Sequence, residues 1–330
     1  MIWMVFRRYR LQFALMLAVV VALVVWMYLL GRAFDDAVAS AACHRSTFGC
    51  DVYTTLNKQT IALNIMLLFV PCLFGIVFGA PLVAGELDQH TNRLAWTQGI
   101  SRTKWLLSKW LTVLVVLIPF VTVLTLVAQW WVGRTYEQLP FQLVATVGVG
   151  QVGHIQPQFF PITGLAPIGY MVFAFSLGVA SSVVVRKVSW AIVGTVVIYT
   201  WVALLMVTFI RPNLAPQVFV SSSGQTGADG AVLAEVRFGA WNLGTAYVYV
   251  PGAPNIANRA SAETVGQHCL TYPYDGGYLD CLSVHGIEQG TYFQPSSHYW
   301  ELQWWESAIL VISSVLLLGV AVAGVRRWRA

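Results

Sequence analysis

Six apolar runs, each long enough to cross a lipid bilayer, leave this chain few folds to choose from. A bilayer core about 30 Å thick needs roughly 20 apolar helical residues. The runs at 13–30, 60–83, 106–132, 164–185, 188–210 and 305–325 meet that need. No water is available at that depth to satisfy backbone N–H and C=O groups, so each run is read as a helix that satisfies its own. The predicted fold class is an all-α polytopic membrane protein with six transmembrane helices. Composition agrees: 57% of residues are hydrophobic and 10% are charged, against about 25% charged in soluble domains. Fourteen Trp and thirteen Tyr fit a protein with two membrane interfaces, where amphipathic rings concentrate. The net charge of +5 is small and spread between loops, and it does not suggest a nucleic-acid partner.

Basic residues set the expected orientation. With the N-terminus inside, the cytoplasmic segments hold Arg7, Arg8, Arg10, Arg93, Arg102, Lys104, Lys109, Arg186, Lys187, Arg326, Arg327 and Arg329. These are most of the 19 Lys and Arg, gathered in the shorter loops, as the positive-inside rule requires. The expectation is therefore a multi-pass plasma-membrane protein with both termini cytoplasmic. Residues 1–12 read as a cytoplasmic amphipathic lead-in, because Trp3, Phe6 and Arg10 share a helical face by spacing. The run at 13–30 is too long for a typical export signal, so it is read as an uncleaved first span.

The segment 211–304 is the largest polar piece. Its Ser/Gly-rich start and scattered aromatics point to a small irregular or mixed extracellular cap without a large core of its own. The sixth span and a basic tail follow at 305–330. Cys43, Cys50, Cys269 and Cys281 all fall in predicted outside loops, where disulfides form. The simplest pairing is local, Cys43–Cys50 and Cys269–Cys281, although four cysteines allow three pairings. No CxxC is present, and no metal site is expected.

The spans contain few ionisable residues, which mark the pathways of pumps and channels. Asn64 and Gln129 are the notable polar side chains and the candidate translocation-path residues, and Glu306 is placed at the outer edge of the last span. An Asn in a span more often joins helices than lines a path. Catalytic signatures are missing: there is no H-E-x-x-H and no G-x-S-x-G. There is also no G-x-x-x-x-G-K-[ST], so this chain cannot hydrolyse ATP through a P-loop of its own.

The connector between the second and third spans, AGELDQHTNRLAWTQGISRTKW, is the most informative polar segment. Leu87, Thr91, Leu94 and Ala95 share one helical face, so a short amphipathic helix at about 85–100 is expected along the membrane. Gly99 can end it, and Ser101 can cap the helix that continues into the third span. A hairpin needs only a few residues, as Arg186–Lys187 shows in the same chain.

GAPLVAGELDQHTNRLAWTQGISRTKWLLSKW resembles the membrane subunits of type-2 ABC exporters, in particular actinobacterial members. In that family small residues precede a Glu, then come a Gly-Thr pair, an apolar stretch, a turn with Ser-Arg and a Lys entering the third span. Here these fall on Glu86, Thr91, Leu94, Gly99, Ser101, Arg102 and Lys109, and His90 stands where the family usually has Gly. A second segment, YFQPSSHYWELQWWE, is similar to a Tyr-Gln-Pro-Ala-Ser stretch before the last span of such permeases.

The resemblance implies a permease without catalytic residues or a cofactor of its own. Two such subunits, as a homodimer, would work with two separate ATPase subunits that bind ATP and Mg. The connector would be the coupling helix, with Glu86, Asp88, Thr91, Arg93, Gln98, Ser101 and Arg102 contacting or positioning the ATPase. The substrate would be a hydrophobic or amphipathic drug, natural product, peptide or lipid, with drug or antibiotic efflux as the associated role. The alternatives are a membrane-anchored assembly or immunity factor, or a secondary transporter, neither needing an ATPase.

Overall fold

The computed structural model describes residues 2–39, 51–88, 101–134, 153–221, 240–249, 259–271 and 277–327. Among the described residues, six helices are long and apolar enough to cross a membrane: Tyr9–Asp36, Lys58–Gly85, Arg102–Val132, Ala166–Val185, Val188–Asn213 and Ser296–Arg327. The expected fold class is therefore found, six spans with a small mixed cap. The lead-in is helical and belongs to one helix, Ile2–Ala39, that runs on through the first span. The last helix starts at Tyr299, ahead of its apolar run, because Glu301, Gln303 and Glu306 interrupt the hydropathy of its first two turns.

The fourth span is the centre of the bundle. Of its most apolar window 78% is buried, against 17% for the fifth span and 22% for the sixth. It packs against the second, third, fifth and sixth spans. Its closest neighbour is the second span, at a crossing made of glycines. A Cβ on Gly75 would lie 2.5 Å from the Ala174 carbonyl oxygen, one on Gly79 2.6 Å from that of Phe175, and one on Gly178 2.4 Å from that of Gly75. Small residues let membrane helices approach backbone to backbone, where dispersion and weak polar contacts replace the hydrophobic drive. The second span also leaves α-helical geometry here. Pro71 removes one backbone donor, and a π-helical turn, Gly75–Gly79, follows it.

The first span lies against the second and third, with Phe13 stacked on Phe78 at 5.0 Å and Tyr28 on Trp130 at 6.2 Å. Arg134 and Asp35 pair at 2.8 Å at the other end of these helices. Arg186 adopts the left-handed conformation, φ 60°, and ends the fourth span in a two-residue turn, its N–H bonded to the Ser182 carbonyl.

The cap joins the ends of the fifth and sixth spans. Strands β1 (Val218–Ser221), β2 (Trp241–Tyr249) and β3 (Ile287–Gln294) form an antiparallel sheet in the order β1-β3-β2. A bulge between Asn242 and Gly244 breaks the β2 register. Two helices, Arg259–Thr271 and Tyr278–Val284, cover the sheet and are joined by a disulfide between Cys269 and Cys281. Around it Tyr247, Ala262, Leu282 and Ile287 make a small core. Tyr278 shares a 2.9 Å hydrogen bond with the Tyr247 hydroxyl, and burial followed by that bond pushes its phenol pKa above the ordinary range. Cys72 is a free thiol buried in the second span. Cys43 and Cys50 lie outside the described residues.

The glycine crossing makes a direct prediction. Gly178→Val should lower the thermal midpoint of the detergent-purified protein by the equivalent of about 3 kcal/mol, the upper range for overpacking. Gly319→Val, where an added Cβ meets nothing within 4 Å, should leave it unchanged. Cys281→Ser should cost about 3 kcal/mol of cap stability, read as faster proteolysis within the cap while the spans stay protected.

Candidate functional site

The two ends of the connector are held by the bundle. Helix Ala80–Asp88 continues the second span past the glycine crossing, with Leu82, Val83 and Ala84 fully buried. It carries Glu86 and Asp88 in its last turn. On the far side Ser101 is extended, φ −64° and ψ 139°, and its hydroxyl accepts from the Lys104 N–H at 3.4 Å. That is the cap expected for the third span, and Arg102 is its first helical residue. Thr91, Arg93 and Gln98, with the expected amphipathic helix, lie outside the described residues.

The start of the third span is tied to its neighbours. Lys109 sits 4.2 Å over the ring of buried Trp105. The Trp110 indole donates to Ser176 of the fourth span at 3.2 Å. Arg326, near the end of the last span, donates to Thr103 at 3.1 Å. This last contact brings the C-terminal helix to the connector end of the bundle.

The two candidate path residues have different surroundings. Asn64 is buried, and its side-chain oxygen has no hydrogen-bond partner among the described residues. Thr60, one turn earlier on the same face, is in the same state. Gln129 is half-buried near the far end of the third span, where its backbone carbonyl meets His154 Nε2 at 3.2 Å.

At the cap end the structure assembles a polar cluster that the linear reading missed. Arg211, just past the π-helical turn Met206–Ile210, is fully buried. Its Nε donates to Glu306 Oε2 at 2.7 Å and its Nη2 to Oε1 at 2.8 Å. The Tyr170 hydroxyl donates to Oε1 at 2.6 Å, and the guanidinium carbon lies 4.3 Å over the Phe160 ring. Glu306, at its expected place near the outer end of the last span, is fully buried, and its charge is matched in place.

One turn before Glu306, Gln303 completes the fourth span. The first N–H groups of a helix have no partner within it. Gln303 Oε1 accepts from Leu165 N at 2.9 Å and Ala166 N at 2.6 Å. Its Nε2 donates to the carbonyls of Phe160 and Thr163, both at 3.1 Å. Gly164 at φ +69° makes this fit: a Cβ there would lie 2.6 Å from the Tyr299 hydroxyl and 2.8 Å from Gln303 Cδ. Gln294 does a similar task for the fifth span, its Nε2 donating to the carbonyls of Pro212 at 3.1 Å and Ala215 at 2.8 Å. The signal was present in the YFQPSSHYWELQWWE segment, whose Gln294, Gln303 and Glu306 are all buried. Its partners lie too far away in sequence to be read off.

Chemically this cluster is a staple. A buried pair adds little net stability, yet removing one partner strands the other charge. The sulfurs of Cys269 and Cys281 lie near His285, all within 4.8 Å, but they are bonded to each other and so offer no thiolate to a metal. Arg211→Ala or Glu306→Ala should each destabilise the protein by about 3–5 kcal/mol. The double variant Arg211→Leu with Glu306→Leu should recover most of that loss, as read by thermal unfolding in detergent.

A family model described as ABC-2 membrane transporter related matches residues 15–211, more than half of the chain. No curated protein and no solved structure matches. The matched stretch runs from the first span through the connector to the Arg211 that anchors the fifth span. With six spans and the connector held at both ends, this chain belongs to the ABC-2 membrane transporter related family.

Proposed function

We propose that this chain is the permease subunit of an ATP-driven exporter and that a separate P-loop ATPase docks on its connector. The observation that carries the reading is the family match across that connector. Membership in this family implies an ATP-binding partner and a membrane location. The geometry supports the docking site. Both ends of the segment continue directly into bundle helices, so a displacement of it is passed on to the second and third spans.

In this reading Glu86, Asp88, Thr91, Arg93, Gln98, Ser101 and Arg102 contact or position the ATPase, which holds ATP and Mg. Two copies of this chain and two of the ATPase make the working unit. The connector faces the cytoplasm, as the distribution of Lys and Arg favours. The cargo is hydrophobic or amphipathic, as in drug or antibiotic efflux. Supporting this, the charged residues buried in the spans, Arg211 and Glu306, are bonded to each other and shielded from solvent.

The test is co-purification with a soluble P-loop ATPase encoded beside this reading frame, followed by ATP hydrolysis in nanodiscs. Arg102→Glu should weaken recruitment about tenfold, a loss of about 1.4 kcal/mol. Glu86→Ala should lower cargo-stimulated hydrolysis while membrane insertion is unchanged. Wild-type recruitment and hydrolysis in both variants would overturn the docking assignment.

A further inference from the structure

A cavity of about 360 Å³ lies between the cap sheet and the end of the fifth span, lined among others by Thr208, Asn213, Gln217, Trp241, Asn242 and Thr245. Its volume falls within the roughly 300–1,000 Å³ of small-molecule sites. Two irregular backbone features build its walls. On one side is the π-helical turn Met206–Ile210, contributing Val207 and Thr208. On the other is the β2 bulge at Asn242–Gly244. π-turns and bulges both recur beside functional sites, because they re-aim side chains that a regular element would not.

The hydrogen-bonding groups say what fits. Asn213 Nδ2 donates one N–H to the Phe209 carbonyl at 2.7 Å and Gln217 Nε2 one to that of Pro212 at 3.1 Å, which leaves each amide its oxygen to accept and its second N–H to donate. Asn242 Oδ1 accepts from Gly244 N at 2.8 Å, which leaves its NH₂ to donate. Among the described residues, the cavity lining carries no charged side chain. Arg211, next to the lining residue Pro212, is fully buried and bonded to Glu306. Among the described residues a phosphate or carboxylate finds no cation in this lining, while the amide groups present both acceptors and donors. Hydroxyl groups both donate and accept, and Trp241 and Tyr292 add aromatic surface to the lining.

An exposed apolar stripe lies on the same helix as the lining residue Thr208. The Thr208 hydroxyl donates to the Leu204 carbonyl at 2.7 Å, which places Leu204 one turn deeper. Trp201, Leu204 and Leu205 follow at helical spacing, exposed by 64%, 55% and 40%. We propose that this cavity binds an amphiphile with an uncharged, hydroxyl-rich head, a neutral glycolipid, whose chain lies along the fifth span. The site is independent of the docking reading, because it needs neither ATP nor a partner.

The experiment measures ligand-induced thermal shift and affinity of the full chain in detergent with monoglucosyl diacylglycerol, phosphatidylglycerol of the same chains, and free glucose. The expected result is stabilisation by the glucolipid, with no matching effect of phosphatidylglycerol or glucose. Thr245→Trp and Thr208→Trp should each weaken glucolipid binding about tenfold. Gln217→Leu, a milder change that removes one acceptor, decides the matter should the tryptophan variants lose their unliganded thermal transition. Equal binding by Gln217→Leu and the natural chain, or equal response to both lipids, would overturn the proposal. Glucose binding as tightly as the glucolipid would also overturn it, by assigning the cavity to a soluble sugar.

Discussion

The most buried helix of this bundle begins where water cannot reach it, and one side chain answers that problem. The first N–H groups of the fourth span are met by the carbonyl oxygen of Gln303, supplied by the sixth. Orphan donors at membrane depth cost several kcal/mol when left bare. The fourth span therefore depends on a neighbour more than a hundred residues later in the chain. The amide of the same Gln303 holds the elbow Phe160–Thr163 that leads into the helix. Arg211, Glu306 and Tyr170 extend the arrangement to the end of the fifth span. Three helices and an elbow are thus fixed by a few polar contacts at the cap end, while glycines fix the crossing lower down.

These two modes of packing divide the bundle. Where the second and fourth spans cross, backbone meets backbone, and any added carbon collides with a carbonyl. Where the fourth, fifth and sixth spans meet, charge and hydrogen bonding specify one arrangement. π-helical turns flank both regions, Gly75–Gly79 in the second span and Met206–Ile210 in the fifth. The second and fifth spans therefore each deviate from α-helical geometry beside a contact that sets their position.

The features legible in the sequence were those carried by local chemistry. Long apolar runs became spans because lipid allows a self-satisfied backbone little else. Ser101 capped the third span because a short hydroxyl before a helical run satisfies a free donor. Cys269 and Cys281 paired across a short separation. The Arg211–Glu306 pair was hidden, because hydropathy assigns each charge to water on its own and their partnership exists only after folding. Gln294 and Gln303 were visible as residues of a recognised segment, yet their roles depend on carbonyls and N–H groups distant in sequence. For the connector, Ser101 and the helical link at Glu86 and Asp88 were readable, while its middle falls outside the described residues.

The chain order of the buried pair has a consequence for biosynthesis. Arg211 leaves the ribosome well before Glu306, since the whole cap is made between them. Until the sixth span is made, the guanidinium lacks the carboxylate that it pairs with in the folded chain. The buried pair can therefore close only after the cap has been synthesised, which makes it a late contact of assembly.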